Sequence, residues 1–150
     1  MRIKKSQQSN ASDKCPVTFA LDIFGDRWSL IILREMVFRQ KRYYGEFLST
    51  AEKISTNILA ARLNKLEAEG IITKVQDKHN LSKNVYTLTQ KGVDLIPLLL
   101  EMIEWSVTYN PQPDVPDNII SGAPAHLLKR SKEERATLID EIVSKIDIDG

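Results

Sequence analysis

The sequence predicts a mainly α fold of the α+β class, with helices gathered around one two-stranded ribbon. Three observations carry this. Apolar residues recur at helical spacing over most of the 150-residue chain; strand-like alternation is confined to IITKVQ and VYTL; and that ribbon follows directly behind a capped helix, STNILAARLNKLEAEG. At 42% hydrophobic content the chain fits one globular domain with appendages.

Taken in order, residues 1–14 (MRIKKSQQSNASDK) are polar and lack aromatics, and are expected to form a disordered N-terminal arm. A first helix is predicted over Pro16 to Phe24, because proline suits a first helical turn and Gly25 ends it. Asp26 caps a second helix, Arg27 to Phe38, whose Trp28, Leu30, Ile31, Ile32, Leu33 and Met36 belong in a core. A third covers about Tyr43 to Thr50, preceded by the cations Arg39, Lys41 and Arg42. Thr89 caps a long helix through about Tyr109, broken or bent at Pro97, where an interior proline removes a backbone bond. From Asn110, NPQPDVPDN is a linker that cannot continue the helix. Ser131 to Glu134 reads as a capping box before a last helix, with Leu138, Ile139, Ile142, Val143 and Ile146 on one face. That stripe is expected to pack on its own domain or on a second subunit, with an outside protein as the other choice. The expected organisation is an arm (1–14), a main domain (15–109), and a linker with an amphipathic helix reaching about residue 148 (110–150).

The helix-then-ribbon segment is the most informative piece. Ser55 is a good N-cap, and Gly70 follows the last turn, where a left-handed residue is favoured. Ile58, Leu59, Leu63 and Leu66 form the buried stripe, leaving Thr56, Asn57, Ala60, Ala61 and Asn64 on the other side. No acid interrupts that face; Glu67 and Glu69 wait until the last turn. An ordinary solvated face would more often alternate Glu and Lys. The ribbon tip, DKHNLSKN, presents Lys78 and Lys83, and such a tip buries little. A helix followed by a hairpin of this kind can lie in the DNA major groove while the hairpin grips the flanking backbone.

The long helix near the end is apolar nearly all round: Val93, Leu95, Ile96, Leu98, Leu99, Leu100, Met102, Ile103 and Trp105. In a domain this small, the missing cover is expected from a second copy of the chain. The formal net charge of +1 divides unevenly. Residues 39–83 carry nine Lys/Arg against five Asp/Glu, a net +4, while residues 110–150 carry five against eight, a net −3. No apolar run approaches membrane-spanning length, and the N-terminus has no signal-peptide core, so a cytoplasmic protein without membrane contact is expected. His79 and His126 stand without metal-ligand spacing, and there is no phosphate-binding glycine loop or nucleophile-base pattern. Neither an enzyme, a metal nor a cofactor is expected.

CPVTFALDIFGDRWSLIILREM, RYYGEFL, ISTNILAARLNKLEAEGII, YTLTQKG and LLLEMIEW, in that order over about residues 15–106, resemble the HxlR-type winged helix-turn-helix regulators of the MarR-like group. The Cys-Pro-Val opening, the Gly-Asp-Arg-Trp turn, the Leu-Glu-x-Glu-Gly helix end and the Leu-Thr-x-x-Gly entry to the last helix are the distinctive pieces. The resemblance implies a winged helix-turn-helix with a two-stranded wing and a long dimerisation helix; the extra C-terminal helix read from residues 131–148 lies outside it. It implies a dimeric bacterial transcription factor, with repression the expected mode, acting on double-stranded DNA at a palindromic operator. Base contacts then fall to Thr56, Asn57, Ala60 and Ala61. Backbone contacts fall to Arg42, Ser55, Arg62, Asn64, Lys65, Lys74, Lys78, His79 and Lys83. Arg62 has two readings, phosphate contact or an ion pair with Glu46 or Glu67. Phe19, Ile23, Leu99, Ile103 and Trp105 are the expected dimer interface. Where such regulators commonly carry a long polar or basic side chain, this chain has Asn57 and Ala61, so its operator is expected to differ.

Cys15, the single cysteine, adjoins the N-cap of the first helix beside Lys14. Helix amides and a cation favour thiolate over thiol. Members of this family include redox and electrophile sensors working through a cysteine here, so thiol chemistry or a small-molecule effector is one reading; a capping residue without sensing is the other. No intramolecular disulfide is available to it. A winged-helix module that binds protein instead of an operator is the alternative function, and salt-dependent DNA binding separates the two.

Overall fold

The computed structural model describes residues 15–110 and 132–148. Its elements run α1 (Pro16–Phe24), α2 (Arg27–Arg39), α3 (Tyr44–Leu48), α4 (Thr56–Ala68), β1 (Ile72–Gln76), β2 (Asn84–Leu88), α5 (Gln90–Val93), α6 (Ile96–Tyr109) and α7 (Lys132–Ser144). The expected arm, Lys14, most of the linker, His126 and the Ser131 end of the capping box lie outside the described residues.

Local chemistry explains most boundaries. Gly25 closes α1 so tightly that a Cβ there would stand 2.5 Å from the Leu21 carbonyl oxygen. The Asp26 carboxylate then caps α2, accepting the Ser29 amide at 2.8 Å and its hydroxyl at 2.6 Å. The Ser55 hydroxyl accepts the Ile58 amide at 3.3 Å at the start of α4. At the other end Gly70 takes φ +69°, a conformation that costs other residues about 1 kcal/mol. That turn lets the Ile71 amide reach the Leu66 carbonyl (2.9 Å) and the Gly70 amide reach that of Glu67 (3.0 Å). This is a Schellman closure, and Leu66 and Ile71 are both buried beneath it.

Two expected helices are altered. The third is shorter than Tyr43 to Thr50, because the Ser49 hydroxyl bonds the Glu46 carbonyl (2.7 Å) and competes with the helical ladder. The long helix divides into α5 and α6, with the break at Asp94 and Leu95. Pro97 is the cause, since it has no N–H to give the Val93 carbonyl and its ring would collide there. The chain turns just ahead of it, and Pro97 enters the first turn of α6, where a missing donor costs little.

The ribbon is antiparallel, pairing Ile72 with Leu88, Lys74 with Tyr86 and Gln76 with Asn84. Thr73 and Thr87 join across the other face, hydroxyl to hydroxyl, at 2.8 Å. Tyr43 bridges Val85, and Ile148 makes a parallel bridge with Leu88. Beneath the ribbon, Ile32, Leu33, Phe47, Leu59, Leu63, Leu66 and Ile96 are at most 2% exposed. The stripe of α7 (Leu138, Ile139, Ile142, Val143) with Ile146 packs on this same core, which leaves those side chains half-buried. Arg135 of α7 pairs with Glu101 and Glu104 of α6.

One buried feature lies outside the apolar pattern. Glu35 is wholly buried, and its carboxylate meets Arg34 at 2.7 Å, Arg39 at 3.6 Å and the ammonium of Lys41. Arg34 continues to Glu52 at 2.6 Å. A carboxylate in the core requires such partners, because an unpaired buried charge is far costlier.

Candidate nucleic-acid interface

On α4, the core stripe turns Leu59, Leu63 and Leu66 inward and leaves Ser55, Thr56, Asn57, Ala60, Ala61 and Asn64 exposed. The start of the helix is held by α3, whose Tyr44 hydroxyl donates to the Thr56 carbonyl at 3.0 Å. The exposed row is short-chained and uncharged. It suits close approach to base edges, with the Asn57 amide and the Thr56 and alanine methyls as the available reading groups.

Arg62 and Lys65 do not share that row. Both are half-buried on a flank of α4 and converge on Asp26, Arg62 Nε at 3.0 Å and Lys65 Nζ at 3.8 Å. Of the two readings for Arg62 the ion pair is present, but its acid is Asp26 rather than Glu46 or Glu67. Glu46 is used elsewhere, accepting the amides of Arg42 (2.8 Å) and Tyr43 (3.0 Å). Partial burial pushes the Asp26 carboxyl up. Ser29's hydroxyl and amide, then the charges of Arg62 and Lys65, more than offset this and leave it below the usual range.

The wing supplies the cations. Lys74, Lys78 and Lys83 are exposed on the ribbon and its tip, with the His79 ring exposed among them, and the Lys83 ammonium sits 5.8 Å from the centre of the Tyr43 ring. The tip is organised by Asp77, a residue the sequence reading did not single out. Its carboxylate accepts the Tyr43 hydroxyl (2.6 Å) and the amides of His79 (2.7 Å) and Asn80 (2.8 Å). These three bonds, Tyr43's first, hold the carboxyl below its ordinary pKa. An Asp followed by Lys-His-Asn is a recognisable side-chain-capped turn, so that half was open to inference. The bond to Tyr43 was not. Arg42 is paired with the C-terminal segment, where Nη1 meets Asp147 at 2.6 Å.

Cys15 is exposed at the N-cap of α1, and the amides of Thr18 and then Val17 lower its thiol pKa. Among the expected dimer residues, Phe19 (48% exposed) and Trp105 (67%) face outward, while Ile23 and Leu99 are buried in the chain's own core and Ile103 is half-buried. Val17 and Leu21 on α1, and Leu98, Met102 and Tyr109 on α6, are the other large apolar side chains left open on these helices. No helix among the described residues is long and apolar enough to cross a membrane.

A short helix, a capped second helix with an uncharged outer face, and a basic two-stranded wing together define a winged helix-turn-helix protein. Residues 23–114 match the HxlR-like helix-turn-helix family, and the chain belongs to it; this is a family of transcriptional regulators, not enzymes. The chain is similar to two uncharacterised HTH-type transcriptional regulators of Bacillus subtilis (strain 168). YybR is 35% identical over 70% of this chain and 82% of its own length; YdeP is 34% identical over 76% and 91%. Among solved structures, the redox regulator HypR in its oxidised form superposes with TM-score 0.57 at 33% identity, covering 67% of this chain and all of HypR. The reduced form of the transcriptional regulator YodB from B. subtilis does so with TM-score 0.52 at 30% identity, covering 67% and 99%. The family match ends before α7.

Proposed function

We propose that this protein is a homodimeric, sequence-specific DNA-binding regulator, acting as a repressor at a palindromic operator. The observation that carries this is the exposed, acid-free row of α4, followed in the chain by a wing whose lysines are exposed. In this reading Thr56, Asn57, Ala60 and Ala61 meet base edges, and Asn57 makes the paired bonds that suit adenine. Ser55, Asn64, Lys74, Lys78, His79 and Lys83 meet the backbone and fix register. Phe19 and Trp105, with the neighbouring open side chains of α1 and α6, form the dimer contact, so that two copies of α4 lie about one helical turn apart.

Cys15 is the proposed point of control. A thiol that is exposed and held toward thiolate by helix amides reacts readily with oxidants and electrophiles. Two of the similar solved structures support this reading, one a redox regulator in oxidised form and the other, YodB, also solved after diamide treatment. Diamide is therefore expected to alter operator affinity in the wild type and not in Cys15→Ser.

The test of the whole reading is binding to a palindromic fragment from the chain's own promoter region across a salt series. Saturable binding that weakens steeply with salt is expected. Binding to DNA that does not saturate, or that ignores salt, would favour a protein-interaction module.

A further inference from the structure

Asp26 stands where three helices meet. The tight Gly25 turn brings it directly off α1, and its carboxylate is locked by two bonds from Ser29, itself wholly buried. Having capped α2, the same two oxygens face Arg62 (3.0 Å) and Lys65 (3.8 Å), three residues apart on one flank of α4. Two anchors at that spacing, drawn to one fixed point, oppose rotation of the helix about its own axis.

We propose that Asp26 is a positioning residue for the recognition helix: by engaging Arg62 and Lys65 it sets the roll of α4, on which base reading depends. The inference rests on the DNA-binding function proposed above. A roll of about 20° moves a side-chain end about 5 Å from the helix axis by about 2 Å. Hydrogen bonds to a base edge tolerate only a few tenths of that. A partly exposed ion pair of little worth to stability can thus matter a great deal to discrimination.

Asp26→Asn isolates the effect, since asparagine caps a helix as well as aspartate but carries no charge. In the full chain, affinity for the promoter palindrome is expected to fall about tenfold while affinity for unrelated DNA of equal length and the salt slope stay unchanged. Arg62→Ala with Lys65→Ala should lower the same ratio without flattening the slope. Tighter binding of Asp26→Asn to both DNAs with a steeper slope would overturn the proposal, by showing both cations to be phosphate contacts released from restraint. An unchanged ratio would overturn it too. If the wild type binds no palindrome, the proposal falls together with the DNA-binding reading; if wild-type binding is intact, a failure belongs to Asp26 alone.

Discussion

Replacing Lys78 and Lys83 together by alanine should remove much of the salt dependence of operator binding and little else. Both side chains are exposed on the wing tip and neither has an acidic partner among the described residues. Lys83 is steadied over the Tyr43 ring. Each phosphate neutralised contributes about 0.9 to the slope of log affinity against log salt, so four lysines lost from the proposed dimer should reduce the slope by about 3.6. Over a fourfold rise in salt, a slope difference of that size amounts to roughly 150-fold in affinity. Fluorescence anisotropy of a labelled promoter fragment at four or more salt concentrations measures it. The melting temperature should hold, because surface changes of this kind stay within about 0.5 kcal/mol. A variant that loses affinity with its slope unaltered would refute the assignment of the wing to phosphate.

Three further outcomes follow from the geometry. Trp105→Asp places a charge on an open apolar side chain of α6, so light scattering should show a monomer with unchanged circular dichroism; a persisting dimer would move the interface elsewhere. Leu63→Ala opens a cavity at a site 1% exposed and should cost about 2–5 kcal/mol by denaturant titration, whereas a loss under 1 kcal/mol would mean the core around α4 is misplaced. Glu52 is held at about 2, chiefly by its bond to Arg34, against an ordinary value of 4.5. Its folded pKa is depressed, so its stabilisation is complete above about pH 4.5 and is lost as pH falls toward 2. The stability gap between wild type and Glu52→Gln, on the order of 1 kcal/mol for a partly exposed pair, should therefore be present at pH 7 and vanish in that window; a gap that widens on acidification would contradict the pairing.

Features written in a few adjacent residues could be inferred from sequence. Asp26, Ser55 and Thr89 act as caps, Gly70 takes the left-handed turn, and Pro97 stands at a break, because each obeys backbone rules that need no tertiary information. The face of α4 followed from helical spacing alone. Long side chains behaved differently. Arg62 had plausible acids nearby in Glu46 and Glu67, yet its partner comes from the α1–α2 junction. Arg42 meets Asp147, more than a hundred residues on. Such pairings depend on how helices pack, which spacing does not encode. The same limit applied to the proposed dimer face, where helical spacing marked Leu99 and Trp105 as equally apolar, and only the folded chain separates the buried one from the open one. Glu35 went unnoticed because its burial is tolerable only through cations gathered from α2 and the residues after it.

If the outer face of α4 reads bases, the contribution of Asn57 shows when wild type and Asn57→Ala are measured against the operator and every single base-pair variant of one half-site. The wild type should discriminate at the position facing Asn57 by about 1–3 kcal/mol. Asn57→Ala should lose discrimination at that position alone and keep it at the others. A uniform loss of affinity with no position singled out, or an unaltered pattern, would contradict the account.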